Sequence, residues 1–90
     1  MIELELFVSG QSVNSVTMIR QVNKVTELMR EQNIVVTLSI VDVLDHPERA
    51  LDVGVMLTPV LIRWKPSEPK MLIGLANEEE ILSLVNLVLH

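Results

Sequence analysis

Ninety residues with twelve acidic and seven basic side chains give a net charge of −5, and the cations (Arg20, Lys24, Arg30, Arg49, Arg63, Lys65, Lys70) are scattered along the chain. Nucleic-acid binding is disfavoured, because it needs clustered cations and stacking rings, and Phe7 and Trp64 are the whole aromatic content. The absence of cysteine removes disulfides, thiolate nucleophiles and thiolate zinc sites, and no apolar run approaches the ~20 residues of a membrane helix, so residues 1–90 are expected to form one cytoplasmic domain without a cofactor.

Ile2, Leu4, Leu6 and Val8 alternate with Glu3, Glu5 and Phe7, the period of a strand with one buried face. The strand breaks at Ser9-Gly10, where Gly10 lets the chain reverse, and Ser12 or Asn14 can cap a following helix. Met18, Ile19, Val22, Val25 and Met29 fall on one face of that helix, with Val16 and Leu28 at its margins, and Asn33 suits its end. Ile34 to Val43 predicts a second strand with Ile34, Val36, Leu38 and Ile40 on one face and Val35, Thr37, Ser39 and Val41 on the other. Strand, helix and strand make a right-handed βαβ unit with parallel strands.

Asp45-His46-Pro47-Glu48 predicts a short helix in which Asp45 and Glu48 form a capping box and Gly54 closes the far end. A third strand begins at Thr58-Pro59, with proline as its first residue, and runs through Trp64, which is core or half-buried in preference to a partner anchor. The turn from Lys65 to Lys70 returns the chain as a fourth, antiparallel strand from Met71 to Gly74. Asn77 before Glu78, Glu79 and Glu80 starts a last helix whose buried stripe is Ile81, Leu82, Val85, Val88 and Leu89, with Leu84 flanking it and Leu87 pointing away.

Three chemistries have sequence signals and are weak. Asp42, Asp45 and His46 suggest a metal site, but no further His or Cys completes a shell, and the plain reading is a strand-end acid, a cap and a solvent-facing His. A nucleophile at Ser9 or Ser12 lacks a base, since the histidines are His46 and His90. A glutathione pocket would need an acidic residue and a serine where Leu75-Ala76 stands. The second strand carries Thr37 and Ser39 with no Lys or Pro to blunt it, so an exposed edge there would be a template for pairing or docking.

The order β-α-β-α-β-β-α, parallel then antiparallel, is an α/β, thioredoxin-like arrangement with a mixed four-stranded sheet, the first strand central, the second at an edge and a cis Thr58-Pro59 expected. Leu6-Phe7-Val8-Ser9-Gly10-Gln11-Ser12-Val13-Asn14-Ser15, Ile40-Val41-Asp42-Val43-Leu44 with Pro47 behind it, Leu57-Thr58-Pro59-Val60-Leu61 and Leu72-Ile73-Gly74 together resemble the KaiB family of the cyanobacterial clock over nearly the whole chain. That resemblance implies a non-enzymatic binding module that docks on the KaiC ATPase, or a sensor domain like that of the histidine kinase SasA. It also leaves open a homotetramer and, as an alternative fold, the KaiB ground state with a rearranged C-terminal half, while the unguarded edge and Leu87 allow a homodimer. The family's Gly-Asp-Leu-Ser-Asn is replaced by Gly74-Leu75-Ala76-Asn77, and its basic KaiC-gripping positions fall at Thr17, Ser39 and Gly54, all uncharged here. The mid-helix asparagine is kept as Asn23. The candidate partner surface is therefore Thr17, Asn23, Val35, Thr37, Ser39 and Gly54, and the structural positions are Gly10, Thr58, Pro59 and Gly74.

Overall fold

The computed structural model describes residues 1–85; the expectations for Leu87, Val88, Leu89 and His90 lie outside the described residues. Its elements are β1 (Ile2–Val8), α1 (Val13–Glu31), β2 (Val36–Asp42), α2 (Pro47–Val53), β3 (Val60–Lys65), β4 (Lys70–Ile73) and α3 (Glu78–Leu84). They build one sheet in the order β2-β1-β3-β4, with β1 parallel to β2 and antiparallel to β3, and β3 antiparallel to β4.

β1 is paired on both edges, and both of its faces are covered by packed side chains. Leu4, Leu6 and Val8 face α1 and α3 in a core with Met18, Val22, Val25, Met29, Leu61 and Ile81. Each fully buried large aliphatic among them contributes about 1.5 to 3 kcal/mol. Phe7 belongs to a second, smaller core with Val60 and Ile62 on the opposite face, packed by Val41, Val53, Val55 and Trp64. The expectation of one buried face is corrected accordingly: Phe7 is fully buried and Glu5 is 7% exposed, because α2 and the β3 side chains roof the face that alternation assigns to solvent.

Local chemistry explains most element ends. Ser12 caps α1, its hydroxyl oxygen accepting the Ser15 N–H at 3.3 Å. Asn33 follows α1 at φ +62°, in the left-handed conformation its side chain tolerates. Gly54 closes α2 at φ +83°, which favours glycine. The Asn77 cap of α3 is complete: Glu80 N–H donates to Asn77 Oδ1 at 2.8 Å, and Asn77 N–H donates to Glu80 Oε1 at 3.2 Å.

Other expectations are corrected. The N-cap of α2 is His46, without a side-chain cap bond, because the N–H groups of Asp45 and His46 both bond back to the Asp42 carbonyl in a turn that precedes the helix. β2 begins two residues later than expected, at Val36, since Ile34 N–H closes α1 on the Met29 carbonyl. Ile40 is 44% exposed, as its edge position leaves it outside the cover of α1. The Thr58–Pro59 peptide is cis and lies just before β3, which starts at Val60. Leu84 is 6% exposed and belongs to the core.

Candidate docking surface

The turn between β1 and α1 is wired by side chains that a hydrolytic site would need free. Ser15 Oγ accepts from Ser9 N–H at 3.0 Å, and Asp42 Oδ1 accepts from Gly10 N–H at 3.1 Å and Leu44 N–H at 3.0 Å. Gly10 is at φ +54°, and a Cβ there would meet Leu44 Cδ1 at 3.1 Å, so both conformation and space favour glycine. The Asp42, Asp45 and His46 group does not converge: Asp42 braces the turn, and His46 Nδ1 lies 3.4 Å from Glu48 Oε1. The serines and the aspartate thus set the geometry of the turn.

β2 has β1 on one side and, among the described residues, no strand on the other. Its exposed residues include Thr37 and Ser39, with Val35 just before it at 64% exposure, and Lys, Arg and Pro are absent from Val36–Asp42. An outer edge of this kind leaves backbone donors and acceptors available to another chain.

The candidate residues on α1 separate. Asn23 is exposed and sits seven positions before Arg30, whose Nη2 donates to the Val36 carbonyl at 3.4 Å, so Asn23 lies on the flank beside β2. Thr17 sits seven before Lys24, whose Nζ is 2.7 Å from Glu78 Oε1, on the flank facing α3. Gly54 ends α2 in the other layer. The structure therefore brings Asn23, Val35, Thr37 and Ser39 to one side of the molecule, with Thr17 and Gly54 at its two margins.

Ser39 also belongs to a cleft of about 430 Å³ on the α2 face, lined with Glu3, Glu5, Arg49, Trp64 and Lys65. Its floor is a network that sequence reasoning missed. Arg49 Nε and Nη2 donate to Glu5 Oε2 and Oε1 at 3.0 and 2.8 Å, Trp64 Nε1 donates to Glu5 Oε1 at 2.8 Å, and the guanidinium carbon stands 5.9 Å from the Trp64 ring centroid. The Arg49 hydrogen bonds hold the Glu5 carboxyl below its ordinary value; burial opposes them and the Trp64 bond adds to them. The same pairing raises Arg49. Glu5, one of two acids alternating with the apolar residues of β1, and Arg49, the single basic residue of α2, were the available signals.

Comparison with known proteins agrees with this anatomy. The family model for the KaiB domain matches residues 5–87. The chain is 34% identical to the circadian clock oscillator protein KaiB of Thermostichus vulcanus over 88% of its length and 72% of that protein. It is 32% identical to the circadian clock protein KaiB3 of Synechocystis over 97% of its length and 84% of that protein. Among solved structures, a chloroplastic thioredoxin z superposes with a TM-score of 0.82 at 15% identity, covering 96% of this chain and 76% of that one. Fasciola hepatica thioredoxin gives a TM-score of 0.78 at 19% identity, covering 94% of this chain and 78% of that one. At such identity the thioredoxins share the fold alone, while the matched domain spans nearly all of the chain, and by that match the chain belongs to the KaiB family.

Proposed function

We propose that this protein is a non-catalytic clock-related docking module that meets a KaiC-type ATPase through the outer edge of β2. The observation that carries the reading is the unguarded β2 edge with Thr37 and Ser39 exposed on it, in a chain of this family. Val35 and Asn23 complete the contact, and Thr17 and Gly54 meet a partner that wraps the edge onto both layers. The Ser12 and Ser15 hydroxyls accept backbone N–H groups of the first turn, which supports a structural part for them and binding in preference to catalysis. The chain acts as one unit in the cytoplasm.

The test is binding of the purified chain to a purified KaiC-type hexamer by biolayer interferometry. Ser39→Glu and Asn23→Glu each weaken binding by about tenfold or more, with circular dichroism unchanged, since repelling a contact at a docking edge costs about 1.4 kcal/mol per decade. Unchanged affinity in both variants would remove the β2 edge from the interface. A SasA-like sensor role is a second reading, favoured by the complete Asn77–Glu80 capping box, which fixes the start of α3 in the thioredoxin-like arrangement.

A further inference from the structure

Across the sheet from β2, the other outer strand is β4, and its apolar residues divide between the two faces. Leu72 packs against the main core. Met71 and Ile73 stand beside Ile62 and Val60 on the face of the second core, yet they are 46% and 63% exposed. The backbone phase of the hairpin decides what this edge offers. Gly74 N–H bonds to the Pro59 carbonyl, so in the register Leu61↔Leu72 the backbone groups of Lys70, Leu72 and Gly74 turn toward β3, while those of Met71 and Ile73 turn outward. Among the described residues no strand pairs with that side. The two most exposed apolar side chains of β4 thus belong to the same two residues whose N–H and C=O groups face away from the sheet.

We propose that β4 pairs antiparallel with β4 of a second copy of this chain, about a two-fold axis passing between the two Leu72 residues. This register sets Met71 opposite the partner's Ile73 and Ile73 opposite the partner's Met71, so every outward N–H and C=O of these residues finds its complement, and the four side chains cover one another on the second-core face. Neighbouring registers fit worse. Centring on Met71 sets Pro69 opposite Ile73, leaves both Ile73 carbonyls without a donor and brings the two Lys70 within two residues of each other. Centring on Ile73 carries the pairing past Gly74, where φ is +88° and the strand has ended.

Charge and space on the other face select the same register. Each Lys70 comes opposite the partner's Gly74, where an added Cβ would meet nothing within 4 Å, so there is room for the lysine stem. Beside β4 on that face lies a groove of about 410 Å³ lined by Leu72, Glu80, Ser83 and Leu84. One Glu80 oxygen accepts the Asn77 N–H, and the other is left for the partner's Lys70. The two lysines stand roughly 13 Å apart along the strands, too far to oppose pairing strongly. A single segment thus supplies both halves of every contact under one two-fold operation, which favours a second copy over an unrelated strand. The edge lies across the sheet from β2, so the proposal does not rest on the docking role given to β2. The continuous eight-stranded sheet of the pair carries a β2 edge at each end.

Sedimentation velocity of the full chain from about 5 to 500 µM tests it. A short edge makes a weak interface, so the weight-average coefficient is expected to climb from monomer toward dimer with a Kd of about 100 µM or below. Ile73→Pro removes an N–H that points outward and spares the pairing with β3; it and Met71→Glu each weaken the dimer at least about tenfold. Lys70→Glu weakens it about tenfold, and adding Glu80→Gln, which still caps Asn77, recovers part of that loss. Ser39→Glu on β2 leaves it unchanged. The chain has no cysteine, so single cysteines report the register. Under a mild oxidant Leu72→Cys, on the axis, forms a disulfide-linked dimer at least about tenfold faster than Met71→Cys or Ile73→Cys. Where circular dichroism shows Leu72→Cys unfolded, a mixture of the Met71→Cys and Ile73→Cys chains is expected to cross-link faster than either chain alone. A monomer at every concentration, a dimer indifferent to Ile73→Pro and Met71→Glu, a dimer released by Ser39→Glu, or faster cross-linking through Met71→Cys than through Leu72→Cys overturns the proposal.

Discussion

Glu5 is a charged residue on the central strand, and its position makes it answer to pH. Its side chain is 9% exposed, and its ionised form accepts three hydrogen bonds, two from Arg49 and one from Trp64. The folded-state pKa lies below the reference of 4.5, chiefly through the Arg49 bonds. A depressed carboxyl pKa contributes stability that is complete above the unfolded-state value and is lost as pH falls through the folded value. Thermal denaturation should therefore show the melting temperature falling as pH drops from about 5 toward 3, with a shallower fall in Glu5→Gln. At neutral pH Glu5→Gln should cost about 1 to 2 kcal/mol, roughly 4 to 8 °C per kcal/mol, because a charge-assisted acceptor is exchanged for a neutral one with a misdirected amide. Equal acid slopes in the two proteins would mean that other carboxylates carry the acid limb.

At the scale of elements, α1 and α2 differ in what holds them. α1 buries six residues and covers β1 and β2. α2 buries Ala50 alone, and its firmest tie to the sheet is the Arg49 grip on Glu5. Local opening should therefore be cheapest at α2. Native-state hydrogen exchange is expected to find the α2 amides exchanging at least about tenfold faster than those of α1 and β1, and Glu5→Gln should speed α2 without a matching change in β1. Equal protection in α2 and α1 would contradict this.

The helical stripe of α1, the extent of β1 as a strand and the Asn77 box were legible in the sequence because each is local: period and cap lie within a few residues. The Glu5 network was not, since its members are separated by 44 and 59 positions and meet only through the sheet order. The same limit misplaced the α2 cap, where backbone bonds to the Asp42 carbonyl overrode the Asp45–Glu48 spacing. For the docking surface, exposure and the absence of edge-blunting residues could be read from β2 itself. That Thr17 and Asn23 stand on opposite flanks of α1 became visible only from the partners of Lys24 and Arg30.

For the molecule as a whole, the question is which arrangement the C-terminal half adopts at rest. In the thioredoxin-like arrangement Lys70–Ile73 is an edge strand paired to β3 in the register Leu61↔Leu72 and Ile62↔Met71, and Gly74 N–H bonds to the Pro59 carbonyl. Just beyond, Ala76 is 7% exposed and Asn77 opens α3, so the short turn leaves little slack between strand and helix. Arg63 strengthens the join: it is 4% exposed, and its Nη1 and Nη2 donate to the carbonyls of Leu84 and Glu68 at 3.0 and 2.8 Å, placing a cation at the C-terminal end of α3. These contacts tie β3, β4 and α3 into one arrangement, and a helical Met71–Ile73 would forfeit the pairing with β3. Backbone chemical shifts of the isolated chain should therefore report extended structure from Lys70 to Ile73 and helix from Glu78 to Leu84. Asn77→Ala should lower stability by about 1 kcal/mol without changing that pattern. Helical shifts across Met71–Ile73 in the unbound protein would assign its resting state to the alternative KaiB fold.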